Sequence, residues 1–230
     1  MIMNRKDVKI IQVLSEPDIE REVLSKESVS KLGYRYITII NPRYTEYPPT
    51  HNVIDGRVDW IVGVTKPDPE EYGLTSGHYG AWQGHMSAIM ASFVDDDYTL
   101  IMECDCLITV DPDFFRSRVD EAIEFMEKSN YKIVRFEAPN NQVVITDKLS
   151  DNLYLGDRMT LGHCYLISSR DKKWWIENIE KLGWTTPDYY LNELFYRNNE
   201  GMAMFKDLIL TKQASGYSII DNTFKPERTF

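Results

Sequence analysis

No stretch of the 230 residues approaches the roughly 18 to 20 consecutive apolar positions of a membrane-spanning helix, because charges interrupt every hydrophobic run. A membrane span is therefore not expected. Cysteine is nearly missing. Cys104, Cys106 and Cys164 are odd in number and sparse, which excludes a disulfide framework and fits a reducing compartment. The opening residues carry Arg5, Lys6 and Asp7 with no apolar run and small-residue cleavage site after them, so the expected location is cytoplasmic. Positive charge is also short. Twenty-six Lys+Arg against 36 Asp+Glu leave a net charge of −10 and a pI near 4.9. That balance provides no basic footprint for nucleic acid or an anionic membrane, so partners should be neutral, cationic or bridged by a metal.

Other absences narrow the chemistry. The first apolar run ends in Ser15-Glu16-Pro17-Asp18, which contains no glycine, so there is no phosphate-cradling loop of the P-loop or dinucleotide type. The Gly-x-Ser-x-Gly elbow of α/β-hydrolases is missing too. With no internal repeat, low-complexity tract or Gly/Ser linker, residues 1–230 read as one domain.

What is present alternates between strands and helices. Val8 to Leu14 is a β-branched run that reads as a buried strand. Ile19, Val23, Val29 and Leu32 are spaced for a helix over Asp18 to Leu32, ended by Gly33, and Tyr34 to Ile40 is a second strand. This βαβ order implies a parallel pair. From Asn41 to Leu74 the chain reads as a long proline-rich loop holding one strand, Val58 to Val64. The pattern continues with a helix over Leu74 to Val94, a strand over Tyr98 to Glu103, a helix over Asp113 to Lys128 and a strand over Tyr131 to Phe136. Strands are expected over Val143 to Thr146 and Cys164 to Ser168, and helices over Asp171 to Leu182 and Asp188 to Tyr196. Phe205 to Thr211 suits strand or helix. The expected architecture is an α/β sandwich.

Chemistry concentrates at the end of the Tyr98 strand. Glu103-Cys104-Asp105-Cys106 places carboxylates at alternate positions where the chain leaves the sheet, which is where ligands of α/β sheets bind. Such a pair can hold one hard cation, Mn²⁺ or Mg²⁺, with coordination positions left for phosphate oxygens. The Asp95-Asp96-Asp97 triplet precedes the strand and reads as a solvated turn. Gly77, Gly80, Gly84, Ala88 and Ala91 form a small-residue stripe on the preceding helix, beside a second stripe of His78, Trp82, His85 and Ile89. Cys104, Cys106, His163 and Cys164 could be counted as zinc ligands, but their spacing is not that of a structural zinc site.

In order and spacing, these pieces resemble the GT-A nucleotide-sugar glycosyltransferases, most closely glycosyltransferase family 25, the lipopolysaccharide and collagen galactosyltransferase type. Gly77, Gly80 and His85 match that family's Gly-x-x-Gly-x-x-x-Ser-His helix, with Gly84 in place of Ser. Met102-Glu103-Cys104-Asp105 matches its apolar strand ending in Glu-Asp-Asp, with Cys104 replacing the middle carboxylate. Gly162-His163-Cys164-Tyr165-Leu166-Ile167-Ser168 matches a later small-residue-Tyr strand. Pro187-Asp188 falls at the acidic position before the acceptor-side helix, and Gln213 with Ser218 at a terminal Gln...Ser element.

The resemblance implies a GT-A-like, Rossmann-type α/β/α sandwich with a mostly parallel central sheet. About residues 1–110 would lie on the nucleotide-sugar side and about 111–230 on the acceptor side. It implies a hexosyltransferase that moves a hexose from a nucleotide diphosphate sugar, such as a UDP-sugar, to a hydroxyl of a glycan, lipopolysaccharide or other acceptor. Glu103 and Asp105 would hold the Mn²⁺ or Mg²⁺. Leu14, Ser15, Arg21, Gly77, Gly80, His85 and Glu103 would bind the donor, Arg21 standing one position late for the family's arginine. Asp188 would be the base, with Glu193 second. The alternatives are a catalytically degenerate GT-A domain that binds carbohydrate or a protein partner, and a sugar nucleotidyltransferase.

Overall fold

The computed structural model describes residues 8–15, 19–41, 76–94, 98–137, 144–157, 162–179, 186–206, 209–213, 216–217 and 224–225. The expected strand at Val58 to Val64, the Asp95–Asp97 triplet and Ser218 lie outside them.

Strand β1 (Val8–Ser15) is followed by α1 (Ile19–Ser30) and β2 (Arg35–Asn41). The turn between α1 and β2 needs a left-handed residue, and Gly33 takes it at φ 69°. Helix α2 (Ser76–Ser92) leads to β3 (Tyr98–Glu103) and the short β4 (Cys106–Ile108). Helix α3 (Pro112–Lys128) starts cleanly because Pro112 suits the first helical position, and the Asp111 side chain accepts the N–H groups of Asp113 and Phe114 at 2.8 and 3.3 Å. The chain continues through β5 (Ile133–Arg135), β6 (Val144–Lys148), β7 (Leu153–Asp157) and β8 (Cys164–Ser168). Then come α4 (Lys172–Ile179), α5 (Pro187–Arg197), β9 (Met202–Phe205) and β10 (Thr211–Gln213), and two short pieces, β11 (Gly216–Tyr217) and β12 (Phe224–Lys225). The ambiguous Phe205 to Thr211 segment is neither one strand nor one helix, since β9 ends at Phe205 and β10 starts at Thr211.

The main sheet has 8 strands in the order β2-β1-β3-β8-β5-β9-β7-β6. β1 pairs in parallel with β2 and β3, and β5 with β9. β8 runs against β3 and β5, and β7 against β6 and β9. Only β7 and β8 oppose the common direction, so the sheet is mostly parallel in strand direction. Side chains alternate between its faces. Ile10, Leu100, Met102 and Leu166 point to a layer that includes Val29 of α1 and Leu32 of the turn after it, with Phe115, Val119 and Met126 of α3. Ile11, Ile101, Tyr165 and Ile167 point to the opposite layer, with Met86 and Ile89 of α2, Trp175 of α4 and Leu191 and Leu194 of α5. Helices thus cover both faces, giving the expected Rossmann-type α/β/α sandwich. Among the described residues no helix is long and apolar enough to cross a membrane.

Leu100 and Leu166 sit opposite each other on β3 and β8 and are both fully buried. Leu166→Ala should cost about 2–5 kcal/mol in urea denaturation, whereas Val94→Ala, at a residue 72% exposed, should stay within about 0.5 kcal/mol.

Candidate functional site

The site is assembled by strand ends. Glu103 closes β3, and its N–H donates to the carbonyl of His163 at 2.9 Å, the residue just before β8. The next N–H, of Cys104, donates to the carbonyl of Val13 in β1 at 2.9 Å. The acidic turn is therefore pinned by backbone on both sides. Register places Gln213 of β10 opposite Cys106, so the backbone of the predicted terminal element also borders this turn. Gly162 brings in the start of α5: a methyl group placed there would lie 3.8 Å from both the Asp188 nitrogen and the Pro187 Cβ. The start of α5 thus packs one residue from His163, beside the acidic turn.

Within this edge, Glu103 is held by a buried relay. His85 of α2 is 1% exposed and lies with Nε2 3.1 Å from Glu103 Oε1 and Nδ1 2.8 Å from the Tyr165 hydroxyl. Its Nε2–H donates to the carboxylate, and Nδ1 shares a hydrogen bond with the Tyr165 hydroxyl whose direction follows the protonation of the ring. Burial pushes the Tyr165 hydroxyl well above its ordinary pKa, so it keeps its proton. Burial also pushes the Glu103 carboxyl up, but the hydrogen bond and charge of His85, with His163 and Arg135 farther off, outweigh it and leave Glu103 below the usual carboxylate range. Glu103 is therefore an ionised carboxylate with a quarter of its side chain, 26%, in solvent.

The donor set suits a hard cation: an ionised Glu103 at the rim and a buried Asp105 two residues on, at the carboxyl edge of the sheet. Among the described residues no group of three His, Cys, Asp or Glu side chains could cage a metal. A cation here would rest on few protein groups and complete its shell with ligand oxygens. The zinc combination does not assemble. His163 Nε2 is taken by the Thr211 hydroxyl at 3.0 Å, while burial raises the Cys106 and Cys164 thiols, which hydrogen-bond one another, away from the thiolate a metal needs.

The other predicted residues fall as follows. Gly77 and Gly80 lie in the first turns of α2, and Leu14 is a buried core residue at the end of β1. Ser15 ends β1 and Arg21 lies in α1, and their side chains are outside the described set. Asp188 stands in the first turn of α5, partly exposed, with Oδ1 accepting the Tyr189 N–H at 3.0 Å; Thr186 is the N-cap. Glu193 is 1% exposed, and its carboxylate is bound to Arg197 one turn further along.

Sequence reading missed the pair beneath this edge. Arg135 and Glu137 are 0% and 2% exposed and pair through Nη2 to Oε1 at 3.0 Å, with Nε at 3.2 and 3.3 Å from the two carboxylate oxygens. Glu137 Oε1 also accepts the Cys164 N–H at 3.3 Å. Opposite charges at i and i+2 on one strand face were the available signal.

No protein-family model matches the sequence, and a search of curated proteins finds no match. Many solved structures are distantly similar, two of them as follows. A 4-diphosphocytidyl-2C-methyl-D-erythritol synthase from Anaerococcus prevotii shares 9% identity at a TM-score of 0.46, over 87% of this chain and 89% of that one. An inositol-1-phosphate CTP transferase from T. maritima shares 11% identity at a TM-score of 0.37, over 86% of this chain and 66% of that one. Likenesses this distant transfer no activity, and with no family model matching, the family 25 resemblance rests on its motifs alone.

Burial holds the His163 ring below its ordinary pKa of 6.5, with Arg135 adding to the effect and Glu137 and Glu103 opposing it. Below pH 6.5 the unfolded chain takes up a proton that the folded ring resists, so stability falls as pH falls through that value. Urea melts between about pH 7.5 and 5.5 should show this loss, and His163→Gln should remove up to about 1.4 kcal/mol per pH unit of the slope.

Proposed function

We propose that this chain is a metal-dependent transferase acting on a nucleotide-activated sugar, and that it moves a hexose from a nucleotide diphosphate donor, a UDP-sugar, to a hydroxyl acceptor. The observation that carries this reading is the convergence of Glu103 and Asp105 with the first turn of α5, and so with Asp188, around Gly162 and His163. In this reading residues up to about 110 hold the nucleotide and the remainder presents the acceptor.

Asp105, assisted by Glu103, would hold a Mn²⁺ or Mg²⁺. When bound, such an ion neutralises charge on the departing diphosphate. His85 and Tyr165 fix the Glu103 carboxylate, so it does not have to reorganise when the donor arrives. Gly77 and Gly80 let the start of α2 approach a ligand closely. In an inverting transfer the acceptor oxygen attacks the anomeric carbon, the bond from that carbon to the diphosphate oxygen breaks, and Asp188 takes the acceptor proton. The neighbouring Tyr189, 39% exposed, offers a flat face to a sugar acceptor.

Nucleotidyl transfer is the second reading. Both distant structures are named for cytidylyl chemistry, and an acidic edge with a cation serves either reaction. The glycine-free Ser15–Asp18 segment weighs against it, since a triphosphate is ordinarily cradled by backbone N–H groups of a glycine-rich loop.

UDP with Mn²⁺ should raise the melting temperature, by the equivalent of about 2.7 kcal/mol at one hundred times the dissociation constant. Asp105→Asn should abolish the shift, and an unchanged melt of the wild-type protein at saturating UDP and Mn²⁺ would count against the whole reading. Asp188→Asn should keep the shift while slowing UDP release from a UDP-hexose by about 10²- to 10⁴-fold. Pyrophosphate released from CTP or UTP with a sugar phosphate would decide for nucleotidyl transfer instead.

A further inference from the structure

The cavity that the transfer reaction does not use lies at the other end of α5. It has a volume of about 600 Å³, within the range of small-molecule sites, and is bordered by the last two turns of α5, the turn that follows, and β6, β7 and the start of β9. Met202, on its wall, opens β9, which runs parallel to β5, so the cavity faces the amino ends of the common strand direction while the acidic turn sits at the carboxyl ends. Arg197 is nine residues beyond Asp188, about 13 Å along the helix axis. The two sites are separate.

Its rim is preformed by backbone. Glu200 N–H donates to the carbonyl of Phe195 at 2.9 Å and Asn199 N–H to that of Tyr196 at 3.0 Å, the paired bonds of a Schellman turn. Asn199 is the left-handed residue at φ 54°, a conformation asparagine tolerates better than most side chains. Asn199 and Tyr196 both line the cavity, and Tyr196 is 66% exposed although large and apolar.

Charge selects the ligand class. The cation at the rim, Arg197, is neutralised by Glu193, and the anion, Glu200, by Lys132 at 2.6 Å. An ionic ligand would find no uncompensated charge there. What is offered is an apolar floor of Leu155 and Phe195, the amide of Asn199, and an aromatic ring at the mouth. Flat apolar faces bordered by hydroxyls are the complement of that lining. The geometry points to a second binding site at this cavity, taking a neutral carbohydrate, with Tyr196 stacking on the sugar ring and Asn199 hydrogen-bonding its hydroxyls.

Saturation-transfer NMR on the full chain tests it, with glucose, galactose and lactose as probes and inorganic phosphate as the anionic control. At least one saccharide should receive saturation, and phosphate should not displace it. Tyr196→Ala should weaken binding about tenfold. Asn199→Gly, which keeps the left-handed backbone, should weaken it without lowering the melting temperature. Saccharide binding should persist in Asp105→Asn and in the presence of UDP and Mn²⁺, so it can succeed or fail independently of the transfer reaction. The proposal is overturned if none of the saccharides binds, if both rim variants bind as the wild type does, or if UDP with Mn²⁺ displaces the sugar.

Discussion

Because β8 runs against β3 and β5, its amino end lies among their carboxyl ends, and this reversal brings the functional pieces together. In a wholly parallel sheet, the residues preceding β8 would emerge at the far edge. Here His163 receives the Glu103 N–H, Gly162 receives the start of α5, and Tyr165, two residues into the strand, reaches His85. Met102 pairs with Cys164, so a slip of one residue would turn Tyr165 out of the layer it shares with α2 and break its contact with His85.

The same crossing point carries a cost. Arg135 and Glu137 lose nearly all their water, and a buried ion pair repays that only with close geometry and further hydrogen bonds. Three contacts from Arg135 to Glu137 and the Cys164 N–H supply them. Replacing such a pair by apolar residues is often neutral or stabilising elsewhere, so its value here is better read as orientation. It fixes β5 against the entry to β8, and its charges reach Glu103 and His163.

Much of this was legible from residue order. β8 lies at the predicted Cys164 to Ser168, because five apolar or small residues between polar flanks leave little choice, and α5 starts where Thr186 and Pro187 announce it. β9 was not readable. Met202 to Phe205 contains an alanine and two methionines, which favour helices, and only its place between β5 and β7 makes it a strand. β7 ends in Gly156-Asp157, which reads as a turn. The acidic pair and the His85 helix were visible as motifs, whereas their joining through Tyr165 was not, since residues 85, 103 and 165 meet only once β8 reverses. Asp188 was the first candidate for the base and Glu193 the second, and the ion pair of Glu193 with Arg197 was not visible in the spacing that suggested it.

The cysteine within the acidic motif follows from the same packing. Cys104 is only 7% exposed, and its N–H is spent on the carbonyl of Val13. A carboxylate there would be a third negative charge between Glu103 and Asp105, buried beside groups that already raise the neighbouring Cys106 thiol, Asp105 and Glu137 among them. Burying that charge without a partner would cost several kcal/mol. A small, weakly polar thiol fills the space without that penalty and leaves the flanking carboxylates as the pair proposed to meet a cation. Cys104 is therefore compatible with the metal chemistry proposed for this edge: it removes a charge that the packing could not have solvated.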